Sequence, residues 1–84
     1  MAVQYMKIPT SSKKLSDDVI RIVDMYQSSQ VSEEDMIEVI TTWRENVPEL
    51  LFAPDGEGKI NRTLLKVIGK KREKVILTFL ANIK

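Results

Sequence analysis

Apolar residues recur at helical spacing along most of the chain, and this periodicity is the feature that most constrains its fold. The first stripe lies within residues 12–27 and contains Leu15, Val19, Ile22, Val23 and Tyr26. A second stripe, in the following segment, contains Met36, Ile40, Trp43 and Val47. An apolar stripe of this kind must be buried against another element, so the sequence predicts amphipathic helices that share one core.

Capping and stop signals place the ends of both helices. The first helix should begin near Thr10 to Ser12, whose hydroxyls can cap free amides, and end in the polar stretch Gln27 to Gln30. Ser32 is a strong N-cap candidate for the second helix, because acidic residues that suit the positive end of the helix dipole follow it. Pro48 disfavours helical geometry at the residue before it, so this helix should end near Asn46.

The last segment, 60–83, contains a glycine that leaves two alternatives open. A continuous helix would gather seven apolar residues into one sector, namely Leu64, Leu65, Ile68, Val75, Ile76, Phe79 and Ile83. Alternatively, Gly69 could end one helix as a left-handed C-cap. The next helix would then open with Lys70, Lys71 and Arg72, which its dipole disfavours. That helix would also lack a good N-cap residue, so we favour the continuous helix. A glycine inside a helix costs only about 1 kcal/mol relative to alanine, so propensity alone does not decide between the two alternatives.

The segments around these helices are shorter and more irregular. Leu50 to Phe52 form an apolar cluster, and Ala53 to Gly56 suit a type I turn with proline second. Before Thr10, Val3 and Tyr5 suggest a short extended segment. The side chains expected to be largely buried are Leu15, Val19, Ile22, Val23, Ile40, Trp43, Leu64, Ile68, Val75, Ile76 and Phe79.

The residue types present limit both the fold and the chemistry. A chain of 84 residues without cysteine makes one domain, residues 1–84, that hydrophobic packing alone must stabilise. The absence of histidine and cysteine removes the commonest general base, the usual zinc ligands and both common nucleophile arrangements. We therefore expect no enzyme, no metal and no cofactor. No apolar stretch is long enough for a membrane span or a secretory signal, which favours a cytoplasmic location.

Charge is divided unequally between the two parts of the chain. Residues 1–58 carry five Lys or Arg against eleven Asp or Glu, whereas residues 59–84 carry eight against one. The candidate binding surface is the basic part of the last segment: Arg62, Lys66, Lys70, Lys71, Arg72 and Lys74. Such a run can bind nucleic acid, bind an acidic protein surface, or remain a solvated helix face. The opposite charges of the two parts also suit association of the chain with itself as a homodimer.

Several stretches together resemble a known group of proteins. Tyr5, "IVDMYQSSQVSEEDMIEVI", Leu51 with Phe52, and "LLKVIGKKREKVILTFL" are similar to a family of small helical proteins of bacteria and their phages. The most specific part is the "LLKVIGKKR" stretch. The resemblance implies a helical fold and a bacterial or phage origin, and it implies no particular activity.

The sequence thus predicts an all-α bundle of three or four helices that acts without catalysis. The expected function is a protein-interaction or regulatory module, and the expected partner is a protein, including a second copy of the chain. The alternative is a small nucleic-acid-binding protein that uses the basic last segment.

Overall fold

Helices dominate the part of the chain that the computed structural model describes, which is residues 4–54 and 56–83, with side chains for residues 4–54 and 59–83. In chain order, the elements are α1 (Ser12–Gln27), α2 (Glu33–Asn46), α3 (Pro48–Leu51), β1 (Phe52–Ala53), β2 (Gly56–Ile60) and α4 (Arg62–Asn82). Apart from one small two-stranded sheet in this described part, the fold is all-α, as predicted.

The first two helices begin at capping residues, as predicted from the sequence. Ser11 caps α1, and its hydroxyl accepts a hydrogen bond of 3.2 Å from the Lys14 amide. Ser32 and Asp35 form a capping box at the start of α2, in which each side chain accepts a hydrogen bond from the other residue's backbone amide. Val47, before Pro48, is non-helical and ends α2 where expected.

One core cluster joins all the elements, and Trp43 is its largest fully buried side chain. The Trp43 indole donates a 2.8 Å hydrogen bond to the Met6 carbonyl, which satisfies its only polar group. Tyr5 packs edge-on against the same ring, with the centroids 6.0 Å apart. All the side chains predicted to be buried are buried except Val75, which is only half-buried.

Residues 4–10 form no strand but cross α1 and α2 as an irregular segment held by polar contacts. Besides the Trp43 bond, the Met6 amide donates to the Asp18 carboxylate at 2.7 Å. The Asn46 side chain donates to the Lys7 carbonyl at 3.1 Å. The extended segment predicted through Val3 and Tyr5 therefore lacks a strand partner in its described part, and Val3 lies outside the described residues.

The connection between α2 and α4 is more ordered than the predicted loop. Pro48 begins the short helix α3, where a proline costs no hydrogen bond. Strands β1 and β2 then pair antiparallel, with Phe52 opposite Ile60. Leu51 and Phe52 are buried, so the predicted apolar cluster does close one side of the core. The predicted type I turn includes Asp55, which lies outside the described residues.

The backbone of α4 is interrupted at Gly69, so the continuous helix favoured by the sequence is wrong at this residue. Gly69 has φ of 83° and ψ of 165°. This positive-φ, extended region is open essentially only to glycine. The alternative of a left-handed C-cap placed φ correctly, but ψ lies far from the value of about 47° of that conformation.

The two halves of α4 bury residues at different helical angles. At about 100° per residue, the pair Leu64 and Ile68 lies roughly 70° from the pair Ile76 and Phe79, which is within the width of one apolar helix face. All four side chains are buried. Val75 belongs to the predicted sector, but it lies about 70° from the mean direction of Ile76 and Phe79 in its own half of α4. The predicted burial of Val75 is therefore wrong, and its side chain is only half-buried.

Replacing Trp43 by alanine should remove most of the largest fully buried side chain of the core. We expect the free energy of unfolding to fall by about 3 to 5 kcal/mol, because truncation of a buried aromatic leaves a cavity. Urea unfolding followed by circular dichroism measures this loss. Ile37→Ala, at a 40 % exposed position of the same helix, is the control and should change stability by less than about 0.5 kcal/mol. Equal effects of the two substitutions would contradict the core assignment.

Replacing Gly69 by alanine tests the break through the sign of its effect. A Cβ at this position would meet no atom within 4 Å, so only backbone strain should act. We expect a loss of stability of about 1 to 3 kcal/mol. In an uninterrupted helix, the same substitution would instead stabilise the protein by about 1 kcal/mol. Lys70→Ala, at the next and exposed position, is the control for urea unfolding, and a stabilising Gly69→Ala would contradict the kink.

Candidate functional site

The six basic residues of the candidate surface separate into two groups. Five side chains are exposed and have no hydrogen bond or ion pair among the described residues: Arg62, Lys66, Lys70, Lys71 and Lys74. The sixth, Arg72, is half-buried and fully engaged within the chain. The break in α4 at Gly69 separates Arg62 and Lys66 from the other four residues, so the six residues do not lie along one continuous helix.

Arg72 ties α4 to α1. Its guanidinium donates to both carboxylate oxygens of Asp24, at 3.1 and 3.0 Å, which is the bidentate geometry that suits arginine. A third bond of 3.0 Å reaches the carbonyl of Ile68, immediately before the break. The hydrogen bond with Asp24 and the charge of that carboxylate raise the pKa of Arg72. Arg72 therefore joins α4 to α1 and is not free for a partner.

An open groove of about 450 Å³ lies beside this clamp, between the end of α1, the start of α2 and the second half of α4. Its floor is apolar. Tyr26 meets Phe79 edge-on, with the ring centroids 5.3 Å apart and the rings at 78°. Val75, which is half-buried, also lines the groove. Since Phe79 is largely buried while Tyr26 and Val75 are half-buried, the last two offer apolar surface to a partner.

Charged groups of both signs line the groove. Lys71 and Lys74 come from α4, and Glu33 comes from the first turn of α2. All three are exposed, and within the described residues none of them has an ion-pair partner. Thr78 and Asn82 also line the groove, but their side chains donate to backbone carbonyls of α4. The charges available to a partner in this groove are thus two ammonium groups and one carboxylate.

Sequence reasoning identified Lys71 and Lys74 but missed the rest of the groove. Tyr26 was expected in the core with Trp43, and it is only half-buried. Its position at the end of the α1 stripe, next to the polar "QSSQ", was the available signal, because tyrosine suits a boundary between core and water. Glu33 is one of the acidic residues that follow the predicted N-cap Ser32, and it is exposed.

The acidic cluster at the start of α2 has a capping role. Asp35 accepts the Ser32 amide in the capping box. No group of three or more acidic, histidine or cysteine side chains that could hold a metal ion occurs in the described part of the chain. Within the same residues, no helix combines the length and the apolar character needed to cross a membrane.

A double-mutant cycle should measure the coupling of α4 to α1. Asp24→Asn, Arg72→Gln and the double variant remove the pair one partner at a time. The side chains of Arg72 and Asp24 are 31 % and 50 % exposed, so we expect a coupling free energy of only about 0.2 to 1 kcal/mol that decreases as salt is added. Glu45→Gln is the control at an exposed acidic position. A coupling of zero at low salt would contradict the clamp.

Comparison with known proteins gives one match. A family model described as a conserved hypothetical protein, CLB_0814_fam, matches residues 6–81. Neither the curated proteins nor the solved structures contain a match. The matched residues include α1, α2 and the groove residues on α4 up to Phe79. Because the match spans most of the chain, the protein belongs to the CLB_0814_fam family of conserved hypothetical proteins.

Proposed function

We propose that the protein is a non-catalytic interaction module that binds a protein segment in the groove between α1, α2 and α4. The observation that carries this proposal is the combination of an apolar floor, Tyr26 and Val75, with unpaired charges of both signs on its walls. Apolar surface removed from water contributes about 25 cal/mol per Å² to binding before the costs of ordering are subtracted. The surrounding charges would orient the partner and select it.

Groove chemistry defines the kind of segment that fits. Lys71 and Lys74 call for acidic side chains, whereas Glu33 calls for a basic or hydrogen-bond-donating one. The floor suits an apolar or aromatic side chain between them, because an aromatic ring packs edge-on against Tyr26 at little entropic cost. A segment of mixed charge with an apolar centre satisfies all of these requirements.

Nucleic-acid binding is the alternative, and the five exposed basic side chains of α4 are the observation that favours it. Tyr26 beside Lys71 and Lys74 also resembles the pairing of an aromatic ring with cations that single strands use. Glu33 argues against it, because a carboxylate in the same groove repels a phosphate backbone. Arg72, already bound to Asp24, adds little positive potential. We therefore rank the protein partner first.

Other expectations from the sequence accompany the proposal as predictions. Without histidine or cysteine, catalysis would have to rely on carboxylates and lysines, and we propose that the protein has no catalytic activity. A cytoplasmic location, and the bacterial or phage origin inferred from "LLKVIGKKR", also stay predictions.

Two matched charge reversals on α4 should separate the two functions. Lys71→Glu with Lys74→Glu alters the groove, and Lys66→Glu with Lys70→Glu makes the same change in net charge outside it. If a protein segment binds in the groove, only the pair Lys71→Glu with Lys74→Glu should abolish the capture of partner proteins from a lysate of the cells that naturally make the protein. Affinity capture with mass spectrometry measures this, and circular dichroism checks that both variants fold.

The opposite pattern would favour the alternative. Nucleic-acid affinity depends on how many phosphates the protein neutralises, so both pairs of substitutions should then weaken the binding of labelled DNA or RNA. The logarithm of the binding constant of the wild type should fall linearly with the logarithm of the salt concentration. Equal losses with both variants would overturn the groove as the binding site.

A further inference from the structure

We propose that this groove contacts the same groove of a second copy of the chain, so that the protein forms a two-fold symmetric dimer. This inference rests on the proposed function, because it takes the same groove as the binding site. It adds the identity of the partner and the symmetry of the contact.

Self-complementarity is the first argument. A two-fold interface brings the same patch of both copies together, so a group on one wall meets the partner's opposite wall, and each contact occurs twice. Such a patch must therefore carry both signs of charge around an apolar centre. The groove contains the groups that this requires: Lys71 and Lys74 on α4, Glu33 on α2, and the half-buried apolar side chains of Tyr26 and Val75.

Charge pairing follows directly from that symmetry. In a two-fold contact, Glu33 of one copy would face Lys71 and Lys74 of the other copy, and the reciprocal contact would form at the same time. Within one copy these groups remain unpaired in the described structure. Association would thus pair three charges of each copy, while the apolar floors cover each other.

The distribution of charge along the chain supports the same partner. Residues 1–58 have six more acidic than basic residues, and residues 59–84 have seven more basic than acidic ones. Arg72 with Asp24 joins one residue of each part inside a copy. In the groove, the exposed acid Glu33 on α2 and the exposed Lys71 and Lys74 on α4 are left to attract the opposite charges of another copy.

Charge exchange between copies provides the test. We expect sedimentation equilibrium of the wild type at low salt to show a dimer that weakens as salt is added. Glu33→Lys alone, or Lys71→Glu with Lys74→Glu, should weaken the dimer at least about tenfold, because each change puts like charges together at two symmetry-related places. Lys66→Glu with Lys70→Glu, outside the groove, is the matched control and should dimerise like the wild type.

Mixing the two groove variants is the decisive measurement. The lysine introduced at position 33 of one variant would then face the introduced acids of the other, while the native Glu33 of the second would face the native lysines of the first. A mixture should therefore recover dimerisation as a heterodimer, although each variant alone is monomeric.

Three results would overturn this inference. The first is a wild type that stays monomeric at low salt, even at protein concentrations of about 1 mM, where very weak binding would still be detected. The second is a dimer that both groove variants retain, and the third is a mixture of the two variants that does not recover dimerisation. None of these results removes the proposed function, which fails separately if the groove pair and the matched control pair capture the same proteins equally well.

Discussion

The backbone conformation of Gly69 sets the course of α4, because its positive φ and extended ψ interrupt the helix. On either side of this break, α4 buries Leu64 with Ile68 and Ile76 with Phe79 in the common core. Val75 lies about 70° from the mean direction of Ile76 and Phe79, so it stays half-buried and lines the groove. The half of α4 after Gly69 therefore contributes both to the core and to the groove.

The basic residues of α4 differ in their contacts within the chain. Arg72 makes three hydrogen bonds through its planar guanidinium. They join the second half of α4 to the carboxylate of Asp24 on α1 and to the carbonyl of Ile68 before the break. The lysines on either side of it have no such geometry and remain exposed. The mainly basic run from Lys70 to Lys74 thus contains one cation that is paired within the fold, Arg72, and three exposed cations, Lys70, Lys71 and Lys74.

Local signals predicted the first half of the fold well. Ser11, Ser32 and Pro48 act on the residues next to them, so the sequence alone places the helix ends. Trp43 and its stripe were also clear, because a single periodicity governs a straight helix. Such signals do not decide the conformation at Gly69, because propensity differs by only about 1 kcal/mol between the alternatives.

The candidate site was only partly predictable for the same reason. Lys71 and Lys74 stood out by charge, but the groove needs Tyr26 and Glu33, which are distant in sequence and come together only through the tertiary fold. Arg72 could not be separated from its neighbours, because its partner Asp24 is 48 residues away. Residues that act through long-range contacts give no local signature, and periodicity cannot supply one.

The most direct test of the central claim is the pattern of nuclear Overhauser effects along α4 and across the groove in solution. We expect the medium-range contacts typical of a helix to run through residues 62–68, stop at Gly69 and resume in residues 70–82. Cross-peaks between the rings of Tyr26 and Phe79, which lie 5.3 Å apart, should accompany this interruption. An uninterrupted helical pattern across Gly69, without contacts between the two rings, would contradict the account.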